Sequence, residues 1–273
     1  MNDRTMRTAG SVAVTLGLAV LCFILLLTAL HGVGTDAGLY YAEQTKAGVL
    51  PAAGISDADL QTLDGALANY LAGRPNDLLL PLDSAPGEYS VLALRVDGEL
   101  RPAFNEKEMT HLADCFDLFA LLRKVRRRLI PWAVLLIVGG AYLLRDRRRI
   151  RRCAALSPLI LLLPLGAFAA WAIADFEGAF TFFHRVLFRN DLWLLDPRTD
   201  LLIRICPQSM FEDMGRMIAL RGLAILAGVP ALAAGLTLVW PKPKKSEDDT
   251  WNNRDMRRAS GAKRMTFGNG AKR

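Results

Sequence analysis

Arg145-Asp146-Arg147-Arg148-Arg149-Ile150-Arg151-Arg152 places six arginines in eight residues between two apolar runs, 129–144 and 154–174. A short segment this basic resists transfer across a bilayer and marks the cytoplasmic side. The flanking runs then read as membrane helices that meet at the inner face. Outward from this point, two more apolar runs appear, Ser11 to Leu30 and Gly222 to Trp240, the latter extended back to residue 217 as a helix. A helix rises 1.5 Å per residue, so crossing an apolar core of about 30 Å takes about 20 residues. The run 129–144 is short, and its flanking arginines must snorkel. No small-x-small cleavage site follows the first run, so it reads as an uncleaved signal anchor.

The charge arithmetic supports this layout. The chain has 273 residues, 52% hydrophobic and 22% charged, with a formal net charge of +7. Mean hydropathy is +0.22, high for a soluble domain. With the N-terminus inside, the inner segments are 1–10, 145–153 and 241–273. They hold 18 basic and 6 acidic residues, net +12, and the remainder is net −5. The positive charge therefore belongs to membrane-flanking segments and does not call for nucleic acid. Lys124 and Arg126 to Arg128 run against the pattern, because they precede the second span on the proposed outer side.

The expected fold is a mainly α membrane protein. It has four transmembrane helices, 11–30, 129–144, 154–174 and 217–240, and a small mixed α/β extracytoplasmic domain, 31–128, between helices 1 and 2. Residues 145–153 form a basic cytoplasmic loop, 175–216 an extracytoplasmic loop, and 241–273 a disordered cytoplasmic tail. Within 31–128, Ser56 caps an amphipathic helix carrying Leu60, Leu63, Leu67 and Tyr70, which Gly73 and Pro75 stop. Asp97-Gly98 between Glu88–Val96 and Glu99–Phe104 signals a two-residue hairpin. Asn105 caps a helix to Leu122 on which Glu108, His111 and Asp114 share a face. Asp200 is placed to cap the segment after Asp196-Pro197.

Only three histidines are present, His31, His111 and His184. His31 ends the first run and reads as interfacial. His111 has Glu108 and Asp114 as candidate orienting carboxylates, and His184 lies among aromatics with Arg185, Arg189 and Asp191 close behind. The structural alternative is a salt-bridge cluster at a helix end. Glu108-x-x-His111 is also a two-ligand metal fragment, with His184 as a third ligand. Cys115, four residues after His111, is either a nucleophile or a disulfide partner of Cys206. No Gly-rich phosphate loop or G-x-S-x-G occurs, which leaves nucleotide chemistry and a serine-hydrolase elbow unsupported. Arg221 opens the fourth run as a snorkelling anchor or a charge facing a polar cavity.

Phe104-Asn105-Glu106-Lys107-Glu108-Met109-Thr110-His111-Leu112-Ala113-Asp114 resembles the FNxxExxHMxD signature of the bacterial lipoprotein intramolecular transacylases. Phe183-His184-Arg185-Val186-Leu187-Phe188-Arg189-Asn190-Asp191-Leu192-Trp193-Leu194-Leu195-Asp196-Pro197 is similar to that family's FHxxFFxNDxWxLDP. The Tyr40-Tyr41 region and the helix ending in Tyr70-Leu71 fit as well. Leu112 and Leu187 depart from the pattern, standing where Met and Phe are expected.

The resemblance implies an acyltransferase with four spans and His111 and His184 as its catalytic pair. It implies no cofactor and no metal. The implied substrate is a diacylglyceryl-modified lipoprotein, whose sn-2 acyl chain moves to the α-amine of the N-terminal cysteine. Asn105, Glu108, Asp114, Arg185, Arg189, Asp191 and Trp193 are then candidates to orient the histidines or bind an oxyanion. Phe183, Phe188 and Arg221 are expected to meet substrate chains and membrane lipids at the outer leaflet. Two readings stand against it: a non-enzymatic membrane assembly or sensory protein, and a metal-dependent membrane hydrolase.

Overall fold

The computed structural model describes residues 3–74, 79–81 and 89–239. The tail 241–273, Trp240, Pro75 and Glu88 lie outside the described residues. Four helical stretches are long and apolar enough to cross a membrane: Asp3–Val33, Glu106–Leu144, Arg147–Ala174 and Gln208–Val239. They contain α1 (Asp3–Val33), α5 (Glu106–Leu144), α6 (Arg147–Leu156) with α7 (Leu159–Ala174), and α10 (Gln208–Val239).

Glycines let α1 and α5 run antiparallel at close range. A Cβ on Gly17 would lie 2.8 Å from the Ile137 side chain, and one on Gly140 would lie 2.9 Å from the Val14 amide nitrogen. Residues without side chains allow this approach in an apolar medium, where tight packing drives helix association.

The helix expected to end at Leu122 does not end there. α5 continues through Lys124 and Arg126 to Arg128 into the apolar run without a break. Lysine and arginine favour helix, and no glycine interrupts them. The expected loop 145–153 is also largely helical. Arg145, at φ 47°, ends α5. The Asp146 carboxylate accepts from the Arg148 and Arg149 amides and caps α6. Pro158, which has no amide hydrogen, marks the junction with α7.

Between α1 and α5 come α2 (Ala37–Ala47), α3 (Leu50–Ala53), α4 (Asp57–Ala72) and strands β1 (Leu79–Pro81), β2 (Tyr89–Val91), β3 (Ala93–Val96) and β4 (Glu99–Pro102). Ser56 caps α4 and Gly73, at φ 104°, ends it. Asp97 and Gly98 both have positive φ, the hairpin turn their sequence demands. The strand expected over Glu88–Val96 is split at Leu92: β2 pairs with β1, and β3 pairs with β4.

The segment 175–216, expected as a loop, holds α8 (Phe176–Leu187), α9 (Leu201–Ile205) and the start of α10. One buried cluster joins Tyr40, Leu60, Leu63, Leu67, Leu94, Phe104 and Leu112 to Leu201, Ile205 and Met210. The two segments thus share a single core instead of folding as a domain and a separate loop. Arg204 adds an ion pair to Asp97 at 3.1 Å, and Lys46 pairs with Asp213.

Candidate active site

The site grows from the first turn of α5. Asn105 accepts from the Glu108 amide at 3.0 Å, and Glu108 Oε2 accepts from the Asn105 amide at 2.8 Å, a reciprocal capping box. Glu108 is 0% exposed, and its other oxygen accepts from the Leu202 amide at 2.6 Å. One carboxylate therefore satisfies the amide ends of two helices, α5 and α9. The cap expected from Asp200 is supplied by Glu108 instead. Asp200 accepts from the Asn105 side chain, Lys107, Thr199 and the Asp196 amide. Lys107 also donates to the Leu194 carbonyl. These bonds join residues 105–108 to residues 194–202.

One turn further along α5, His111 reaches α8. The His111 and His184 rings lie 6.3 Å apart, centroid to centroid. They are 7% and 8% exposed. Phe188 packs edge-on against His111 at 5.1 Å and also touches His184. Phe180, Phe183 and Trp193 surround His184 at 4.0, 5.4 and 4.9 Å. Asp114 accepts from the Asn190 side-chain amide at 2.8 Å, a second polar tie between the two signatures.

The protonation geometry of the pair is asymmetric. A carbonyl can only accept, so the 2.8 Å bond to the Phe180 carbonyl puts a hydrogen on His184 Nδ1. Nε2 of the neutral ring then carries the lone pair. His111 Nε2 lies 3.7 Å from the Cys115 sulfur, and its Nδ1 is buried with no partner among the described residues. Burial lowers the pKa of both rings. For His111 it falls to about 4, with the nearby His184 adding to burial and Asp114 opposing. For His184 the Phe180 carbonyl opposes the burial effect. Both imidazoles are therefore neutral near pH 7.

Cys115 and Cys206 are free thiols, so the disulfide considered from sequence is not formed. Burial, with the Asp114 charge adding to it, pushes the Cys115 thiol up to about 12, which keeps the nucleophilic thiolate scarce.

The other sequence candidates are placed as follows. Trp193, Phe183 and Phe188 touch the histidines. Asn105 and Glu108 are committed to helix caps, and Asp114 to Asn190. Arg189 lines a cavity of about 310 Å³ with Asp114, Asp117 and Phe188. Arg185 lines a separate pocket with Trp171, Asp175 and Phe182. Asp191 and Arg221 are exposed, and no bond joins either to the pair. Glu108 and His111 do not converge as ligands, and among the described residues no three His, Cys, Asp or Glu side chains gather as a metal site would require. Sequence reading gave no site role to Phe180, to Asn190 of the second signature or to Asp117. The four-residue spacing of Phe180 and His184 was the one available signal for the backbone bond.

Residues 15–211 match the family described as lipoprotein intramolecular transacylase Lit. Among solved structures, the chain is similar to the membrane integral lipoprotein intramolecular transacylase Lit from Bacillus cereus. Identity is 21% and the TM-score 0.53, with 86% of this chain and 93% of that one covered. A form of that protein with a histidine-to-alanine mutation aligns at 22% identity and TM-score 0.51, covering 86% and 91%. No curated protein matches.

Proposed function

Because the chain belongs to the lipoprotein intramolecular transacylase family, we propose that it moves the sn-2 acyl chain of a lipoprotein's diacylglyceryl group to the α-amine of the N-terminal cysteine, giving the lyso form. The observation that carries the reading is the meeting of His111 and His184 in one aromatic pocket.

Aminolysis of an ester needs a base for the amine and an acid for the departing alkoxide. A substrate α-amine with a pKa of about 7.7–8.0 is partly neutral near pH 7. It attacks the sn-2 carbonyl carbon, and the carbonyl electron pair moves onto oxygen. His184 Nε2 takes the proton that nitrogen must shed, because Nδ1 is already bonded to Phe180. His111 Nδ1, buried and unpartnered among the described residues, offers its N–H as a hydrogen bond to the oxyanion. The C–O bond to glycerol then breaks, and the alkoxide takes the proton now held by His184 and leaves as an alcohol. Donor and acceptor belong to one molecule, so no acyl-enzyme is required. Holding them together gives effective molarities of order 10⁵ M or more.

The exposed Phe182, Phe183, Val186 and Leu187 on α8 offer an apolar face for the acyl chains. Phe188 closes that face against the pair, and Arg221 anchors α10 to headgroups. The charge asymmetry of the sequence supports cytoplasmic termini and an extracytoplasmic site at the outer leaflet of the cell membrane, with residues 31–128 as an extracytoplasmic α/β unit.

The test is mass spectrometry of a lipoprotein N-terminus from cells with and without the chain. The lyso form is expected only with it, and is expected to disappear with His111→Ala or His184→Ala. An unchanged diacylglyceryl form in cells producing the folded chain refutes the transacylase reading.

A further inference from the structure

Lys124, Arg127 and Arg128 are the charges that the topology leaves unexplained. They lie three and four residues apart on α5, so they share one face, and all three are exposed. Their neighbours in sequence, Arg123 and Arg126, turn the other way. Arg123 donates to the Leu71 carbonyl at 2.6 Å, and Arg126 to the Thr28 hydroxyl on α1 at 3.4 Å. The outward three make no ion pair among the described residues. The nearest carboxylate on their own face, Asp117, lies two turns away.

The level of this patch is fixed by its surroundings. Arg126 meets Thr28, near the end of the first apolar run at Leu30, and the second apolar run starts at Leu129. Both spans therefore leave the apolar core beside the patch. One turn deeper, Trp132 is 60% exposed on the adjoining face, followed by exposed Leu135. A basic ring above an interfacial tryptophan and an apolar stripe matches a phospholipid from headgroup to tail.

We propose that Lys124, Arg127 and Arg128 form a binding site for the headgroup phosphate of an anionic phospholipid. The site lies on the same membrane face as the histidine pair, because both are on α5 before the span. Such a lipid neutralises cations that would otherwise disfavour this face for α5. The occupant is a lipid rather than an acidic stretch of substrate, because the face continues without a gap into lipid-exposed Trp132 and Leu135. The proposal rests on α5 spanning the membrane and not on the transacylase reading.

The experiment uses the full chain in nanodiscs of phosphatidylcholine with a minor fraction of phosphatidylglycerol. A photo-crosslinking benzoylphenylalanine replaces Trp132. Crosslinks to phosphatidylglycerol, corrected for mole fraction, should exceed those to phosphatidylcholine by at least about fivefold, as expected for several cations near an anionic surface. K124Q/R127Q/R128Q should reduce the ratio to about one, while charge-preserving R127K/R128K should retain most of it and control for folding. Equal crosslinking in the parent overturns the site. Transacylation in discs of phosphatidylcholine alone should be the same for the parent and the triple variant. A loss there would assign the patch to substrate and likewise overturn the proposal. If neither protein turns over while the crosslinking ratio holds, the transacylase reading fails and the lipid site stands.

Discussion

Glu108 shows how a residue chosen for its chemistry can be held by structure. Its two oxygens each accept from a backbone amide, one at the start of α5 and one at the start of α9. Gln has one acceptor oxygen, so Glu108→Gln leaves a buried amide unpaired. A loss of about 1–3 kcal/mol is expected, read by thermal unfolding. Asp64 is the opposite case. It is 1% exposed, faces the Gln44 amide without reaching hydrogen-bond geometry, and has its pKa raised by burial to about 7. The native state therefore holds this proton between about pH 4 and 7, where the unfolded chain has lost it. Stability falls as pH rises through that window. Asp64→Asn should flatten the fall and leave the protein more stable at pH 8, seen as a higher Tm. The histidines act with the other sign. The unfolded chain binds their protons near pH 6.5, and native His111 only near pH 4. The stability that their neutral burial allows is complete above about pH 6.5 and is lost as pH falls toward 4. In a series from pH 7 to 4, His111→Gln should show a shallower drop in Tm than the parent.

At the scale of elements, two contacts decide the geometry. The first is the α1–α5 seam. Gly17→Val would push a side chain into Ile137, where even a Cβ meets atoms at 2.8–2.9 Å. A lower Tm and a weaker site are expected, because α5 also carries His111. The second is the Asn190–Asp114 bond between the loop after α8 and α5. Asn190→Asp sets two carboxylates face to face and should destabilise that contact, while the swapped pair D114N/N190D should recover much of the loss in a double-mutant cycle.

The sequence made some of these elements plain and concealed others. Ser56, Asn105 and Asp97-Gly98 act within four residues of themselves, so local chemistry revealed them. The length of α5 is hidden because a capped helix to Leu122 and an apolar run from Leu129 look like two elements, although the arginines and lysine between them favour helix. Residues 147–153, expected as a basic cytoplasmic loop, are helical, with Asp146 as the cap. The bond from Glu108 to Leu202 spans 94 residues, and no local pattern announces it.

For the whole molecule, the four spans were legible because the bilayer imposes length and composition together. The shared core beneath the histidines was not, because Leu112 and Ile205 look like ordinary apolar residues until the chain brings them together. The meeting of His111 with His184 was expected through resemblance to a family and through the metal alternative, and not from any local pattern. Among the described residues no carboxylate hydrogen-bonds to either ring. A backbone carbonyl holds one ring, and the other has a buried nitrogen with no partner among the described residues.

The proposed mechanism has the two rings work as a unit. The direct measurement is single-turnover transacylation by the purified chain in vesicles, on a diacylglyceryl peptide with an isotope-labelled sn-2 acyl chain. The parent is compared with H111Q, H184Q and the double variant. Each single change should lower the rate by about 10²–10⁴, and the double should be little worse than the weaker single. Label appearing on the α-amine at the parent rate in either single variant would contradict the paired-histidine mechanism.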